Sequence, residues 1–170
     1  MSTKAIATAM RLFPQDVRKF WWWWEQLYHR IDGGGFEDNP EVDLKWPGGL
    51  QDPIRTKRFG YKVRLNLQLW PDRRTYFSGS YYQNEFEHLF PIVLRPGDQY
   101  MDIGANIGMT ALMASTIIGN SGKGFAFEPN PETFARLKEN FELNHVTNLE
   151  LVPYAIAETE SEAELCLPAE

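Results

Sequence analysis

Two carboxylates in this chain stand where they could grip a ligand. Asp102 lies in a short apolar run, Tyr100-Met101-Asp102-Ile103, and the turn Gly104-Ala105-Asn106-Ile107-Gly108 follows at once. Glu128 closes the next apolar run, Phe125-Ala126-Phe127, and Pro129-Asn130-Pro131 follows it. Between the two runs Met109, Leu112, Met113, Ile117 and Ile118 mark a buried helix face. Strand, glycine turn, helix, strand, acid is an order in which α/β proteins hold nucleosides, at the carboxyl ends of their strands. Gly104 lets the backbone turn tightly. Gly108 is expected to let the helix lie close to a ligand. The helix N-terminus adds N–H groups and a partial positive charge, which suit a carboxylate or a phosphate equally.

The residue types narrow the ligand. A dinucleotide turn reads Gly-x-Gly-x-x-Gly, and here Asn106 stands at the second glycine. Close approach of the backbone to a pyrophosphate is therefore disfavoured, and with it a nicotinamide enzyme. The Gly-Lys-Ser/Thr of a phosphate loop is absent. Asp102 would repel a phosphate but suits an ammonium or a sulfonium. Glu128 can accept hydrogen bonds from both ribose hydroxyls. An adenosine joined to an amino acid, S-adenosylmethionine, fits better than a dinucleotide. Each acid alone has a plainer explanation: Asp102 as a cap on the turn, Glu128 as a solvated strand end.

Asp102 to Gly108, the segment from Ala126 to Pro131, Leu137 to Asn140, and Leu143-Asn144 together resemble the FkbM family of class I methyltransferases. The resemblance runs from about Leu65 to the C-terminus. It implies a cofactor site lined by Asp102, Gly104, Asn106, Gly108 and Glu128, with Asn130 near the adenine. Tyr82 and Glu85 are further candidates. It also implies a Rossmann-like sheet of strand order 3-2-1-4-5-7-6, of which this chain carries strands 3-2-1. The family's Lys-Ile-Asp-Val-Glu-Gly-like segment beside the methyl group does not occur in the 170 residues. The expectation is O-methylation of a small-molecule or sugar hydroxyl by a shortened or split domain. The open edge beside the first strand would be covered by the N-terminal helix, the hairpin, a second copy or a complementing chain. The other reading is a non-catalytic module that docks through Trp21–Trp24.

The rest of the chain must position these residues. Val17, Phe20, Trp21, Trp24, Leu27, Tyr28 and Ile31 share one stripe and predict a helix over 14–31. Residues 36–59 read as loop. Tyr61, Val63, Leu65, Leu67 and Leu69 alternate with Lys62, Arg64, Asn66 and Gln68, as in a half-buried strand. Pro71-Asp72-Arg73-Arg74 reads as a turn, with Thr75-Tyr76-Phe77 returning as a second strand. Arg55, Lys57, Arg58, Lys62, Arg64, Arg73 and Arg74 are expected on solvated strand faces; an anionic substrate or partner is the alternative. Tyr82, Phe86, Leu89, Phe90 and Val93 predict a helix that Pro91 kinks or divides. Gln99–Ile103, Phe125–Phe127 and the run from Leu149 to Val152 predict strands, and Pro131 opens a helix ending near Asn144. Strands alternating with helices indicate an α/β parallel sheet. Ala163, Leu165 and Leu167 hint at one more strand. The organisation read is residues 1–35, an aromatic helix; 36–80, loop and β-hairpin; 81–170, the first half of a methyltransferase domain.

Composition bounds the function classes. A 43% hydrophobic, 14% aromatic chain can build a core. A net charge of -6 disfavours general nucleic-acid binding. One cysteine, Cys166, excludes an internal disulfide. His29, His88 and His145 lack ligand spacing. No secretory signal or membrane span is read, so the expected location is the cytoplasm.

Overall fold

The computed structural model describes residues 46–159 and Glu162. The predicted helix over 14–31 with Trp21–Trp24, and the strand hinted at by Ala163, Leu165 and Leu167, lie outside the described residues. The chain divides into two compact units between Glu87 and His88.

In the first unit β1 (Ile54–Arg55) pairs antiparallel with β2 (Lys62–Val63), and Leu50 bridges Asn66. The predicted alternation survives as burial: Tyr61, Val63, Leu65 and Leu67 are buried, while Leu69 is exposed. Only two residues of that run form a ladder. The partner strand comes from the segment read as loop.

The predicted return strand at Thr75–Phe77 is a helix, α1 (Trp70–Ser78). Pro71 occupies the first turn, where its missing N–H costs nothing. Asp72 sits in the same turn and accepts the Asn66 N–H at 2.8 Å. Gly79, at φ 72, stops the helix. Thr75, Tyr76 and Phe77 are all buried. The helix-start proline, the acid in the first turn and the left-handed glycine stop outweigh the β propensity of these three residues. Arg73 corrects the solvated reading of the basic residues: it is fully buried, donates to the Leu67 carbonyl at 2.9 Å and lies 5.4 Å from the Trp46 ring centroid. Arg55, Lys57, Arg58, Lys62 and Arg74 are exposed. Next in the chain, α2 (Glu85–Val93) runs through Pro91 as one undivided helix and ends two residues later.

The second unit is a parallel sheet with order β3 (Gln99–Ile103), β4 (Lys123–Phe127), β5 (Leu149–Val152). The ladders are in register, Asp102 opposite Ala126 and Ala126 opposite Leu151. This is the predicted 3-2-1 arrangement of an α/β Rossmann-like fold. Between the strands run α3 (Met109–Ile118) and α4 (Pro131–Leu143). Leu112, Met113, Ala114 and Ile118 of α3 and Leu137 and Phe141 of α4 are buried, and Leu137 and Phe141 lie against the glycine turn at Gly108. Gly124 lets β4 lie close to β3: a Cβ there would lie 1.7 Å from the Tyr100 carbonyl oxygen. Pro153 falls just after β5, an outer strand among the described residues, where no further ladder bond is asked of it.

Candidate functional site

β3 delivers the chain into the glycine turn, and three of its residues hold left-handed backbone: Gly104 at φ 79, Asn106 at φ 50 and Gly108 at φ 91. Asparagine is among the few non-glycine residues that tolerate this region. Its side chain earns a local role there, since Asn106 Oδ1 accepts the Ile107 N–H at 2.8 Å.

All five backbone N–H groups of the turn are satisfied within the protein. Those of Gly104 and Ala105 donate to the Phe127 carbonyl at 3.0 and 2.8 Å. Asn106 N–H donates to Glu128 Oε2 at 2.9 Å, Ile107 N–H to Asn106 Oδ1, and Gly108 N–H to the Ala105 carbonyl at 2.8 Å. The turn is therefore not an open nest for a phosphate, which such loops bind through unpaired N–H groups.

Glu128 ties the turn to the next loop. It is buried, and its second oxygen accepts the Asn130 N–H at 2.9 Å. A carboxylate offers about four lone-pair sites, so two backbone bonds leave acceptor capacity for a hydroxyl. Asn130 caps α4, its Oδ1 accepting from Glu132 N–H at 2.9 Å and Thr133 N–H at 3.1 Å.

Asp102 is half-buried beneath the start of α3. Thr110 Oγ1 donates to its Oδ2 at 2.7 Å, and the Tyr100 hydroxyl and Ala111 N–H also bond to the carboxyl. Burial holds its pKa above the ordinary carboxylate value, with those three bonds pulling the other way. Burial and the neighbouring Asp102 keep the Tyr100 hydroxyl protonated well above its usual range.

The two glycines answer to different demands. At Gly104 a Cβ would meet nothing within 4 Å, so only its φ and open space call for glycine. At Gly108 a Cβ would lie 2.6 Å from Leu137 Cδ1 and 3.1 Å from Phe141 Cε2. The close packing of α4 explains that glycine with no ligand required.

Asp102, Gly104, Asn106, Gly108, Glu128 and Asn130 thus meet at the carboxyl ends of β3 and β4. Tyr82 and Glu85 belong to the first unit, where the Tyr82 ring meets Trp70 edge-on at 5.2 Å. Sequence reasoning quoted Asn140 only within the segment Leu137 to Asn140 and gave it no role; its Nδ2 donates to the Ile107 carbonyl at 2.9 Å. Its signal was a carboxamide on the apolar stripe of Leu137 and Phe141. The concavity bounded by Gln99, Lys123 and Asn148 lies at the amino ends of the strands, away from these residues. No helix among the described residues is long and apolar enough to cross a membrane, and none of their His, Cys, Asp and Glu side chains gather in a group of three that could hold a metal.

The strand order and the glycine turn define the second unit as a Rossmann-like α/β sheet. The chain is related to a methyltransferase: it is 51% identical over 97 residues to the hexuronic acid methyltransferase AglP of Haloferax volcanii. That match covers 55% of this chain and 37% of the relative, so the chain spans well under half of the relative's length. No family model matches. Among solved structures, a SAM-dependent O-methyltransferase from Thermotoga maritima is 20% identical with a TM-score of 0.44, over 71% of this chain and 47% of that one. TYW2 from P. horikoshii, in complex with MeSAdo, is 18% identical with a TM-score of 0.43, over 85% and 50%. Both likenesses are shallow, and the fold assignment rests on the strand order itself.

Proposed function

We propose that this chain carries the S-adenosylmethionine side of an FkbM-type methyltransferase, acting on a hydroxyl of a small molecule or sugar. One observation carries the reading. The turn's five N–H groups are all used internally, while an acid stands at the end of each flanking strand. Such a site lacks what a pyrophosphate needs and has what a ribose and a cationic amino-acid tail need. Similarity to a hexuronic acid methyltransferase supports both the methyl donor and a sugar-like acceptor.

In this reading Glu128 accepts from the ribose hydroxyls with the lone pairs its two backbone bonds leave. Gly104 offers a bare Cα against which the amino-acid part lies. Asp102 supplies negative charge near the ammonium or sulfonium. Asn106 and Gly108 fix the turn, and Asn130 fixes the loop beside the adenine. The bound cofactor supplies an electrophilic methyl group, and transfer requires the acceptor oxygen in line behind it.

Calorimetric titration of the purified chain with S-adenosylmethionine, and separately with NADH, tests the reading. Heat of binding is expected with S-adenosylmethionine alone, and it is expected to weaken in Glu128→Gln. Binding of NADH in preference to S-adenosylmethionine would overturn it.

A further inference from the structure

The glycine turn is fixed from two directions. From β4 come the Phe127 carbonyl and the Glu128 carboxylate. From α4 comes the Asn140 side chain, which donates Nδ2 to the Ile107 carbonyl at 2.9 Å. Asn140 is only 1% exposed, and its neighbours on that face are Leu137 and Phe141, the two side chains that crowd Gly108. A carboxamide is costly to bury unless it is hydrogen-bonded. A leucine of similar size would fill the same space without that cost. The polar residue therefore answers to the carbonyl it holds. Asn144 Nδ2 donates to the Asn140 carbonyl at 2.7 Å and secures that turn of α4.

We propose that Asn140 is a positioning residue for the cofactor turn, holding the Ile107 peptide so that Asn106 and Gly108 stay left-handed. It acts on the ligand only through the turn, and the proposal rests on the S-adenosylmethionine reading above. Left-handed backbone at a non-glycine residue persists only where its surroundings over-determine it. With Asn140's bond gone, the peptide between Ile107 and Gly108 can rotate. A ligand must then order the turn as it binds, and its apparent affinity falls by the fraction of time the turn is competent.

Two variants and two readouts test this. Amide hydrogen exchange at Asn106, Ile107 and Gly108 is measured without ligand, and S-adenosylmethionine affinity by calorimetry. In Asn140→Leu, exchange at the turn is expected to accelerate and affinity to fall, each by about tenfold, the share of one buried hydrogen bond. Exchange within Lys123–Phe127 should not change. Asn140→Asp cannot donate while ionised and should match the leucine variant at neutral pH. As pH falls and its carboxyl gains a proton, protection relative to the parent at the same pH should return. If Asn140→Leu does not fold, the pH series of Asn140→Asp decides. Unchanged exchange at the turn in a folded variant overturns the proposal. A parent that binds no S-adenosylmethionine sinks the cofactor reading instead, and the exchange data still decide the role of Asn140.

Discussion

Asp102 combines a structural duty with a proposed chemical one, and the two respond differently to loss of its charge. Burial raises its pKa above the ordinary 3.8 despite bonds from Thr110, Tyr100 and Ala111. The folded chain therefore binds this proton more tightly than the unfolded chain does. Stability falls as pH rises from that ordinary value through the folded one, and the cost persists at neutral pH. Asp102→Asn removes the charge and keeps an acceptor for the Thr110 hydroxyl. Urea unfolding followed by far-UV circular dichroism should find this variant no less stable than the parent at pH 7. Its advantage should shrink as pH approaches the ordinary carboxylate range. Its S-adenosylmethionine affinity should fall roughly tenfold to a hundredfold, the range for a hydrogen bond to a charged group. Loss of stability with unchanged affinity would make Asp102 a helix-start residue only. The sequence made Asp102 and Glu128 legible because an acid at a strand end is a local pattern. It could not show that both are heavily bonded within the protein. Nor could it show Asn140's role, because Ile107 is 33 positions away.

At the scale of elements, the glycine turn and α4 are one packing unit. The sequence read both Gly104 and Gly108 as serving the ligand. The structure separates them, because a Cβ at one position meets open space and at the other meets Leu137 and Phe141. Gly104→Ala should cost about 1 kcal/mol, from its positive φ alone. Gly108→Ala adds overpacking to the same backbone strain and should cost about 2–4 kcal/mol. Circular dichroism is again the suitable probe. All six tryptophans lie at or before Trp70, so their fluorescence reports the first unit. Equal costs for the two variants would mean that α4 yields to the new methyl. The strands and helices of the second unit were readable because period, caps and glycine stops agree, from Gln99–Ile103 to the Pro131 helix start. In the first unit they conflict. Pro71-Asp72 serves a turn or a helix start equally well, and the left-handed stop at Gly79 decides for the helix.

For the molecule, strand order dictates which surface stays apolar and open. From β3 to β4 to β5 the chain steps in one direction, so right-handed crossovers put α3 and α4 on the same face of the sheet. The opposite face carries Met101 at 54%, Ile103 at 65% and Phe125 at 40% exposure. β3 is also an outer strand among the described residues, with one side unpaired. A contiguous apolar face beside an unpaired edge favours association. Sedimentation velocity should therefore find concentration-dependent self-association of the 170-residue chain. The double variant Met101→Lys, Ile103→Lys should shift it toward monomer. Because both side chains are already exposed, thermal stability should stay within about 0.5 kcal/mol of the parent. A parent that stays monomeric at high concentration would mean that residues outside those described cover this face. A variant that associates as strongly as the parent would move the contact to another surface.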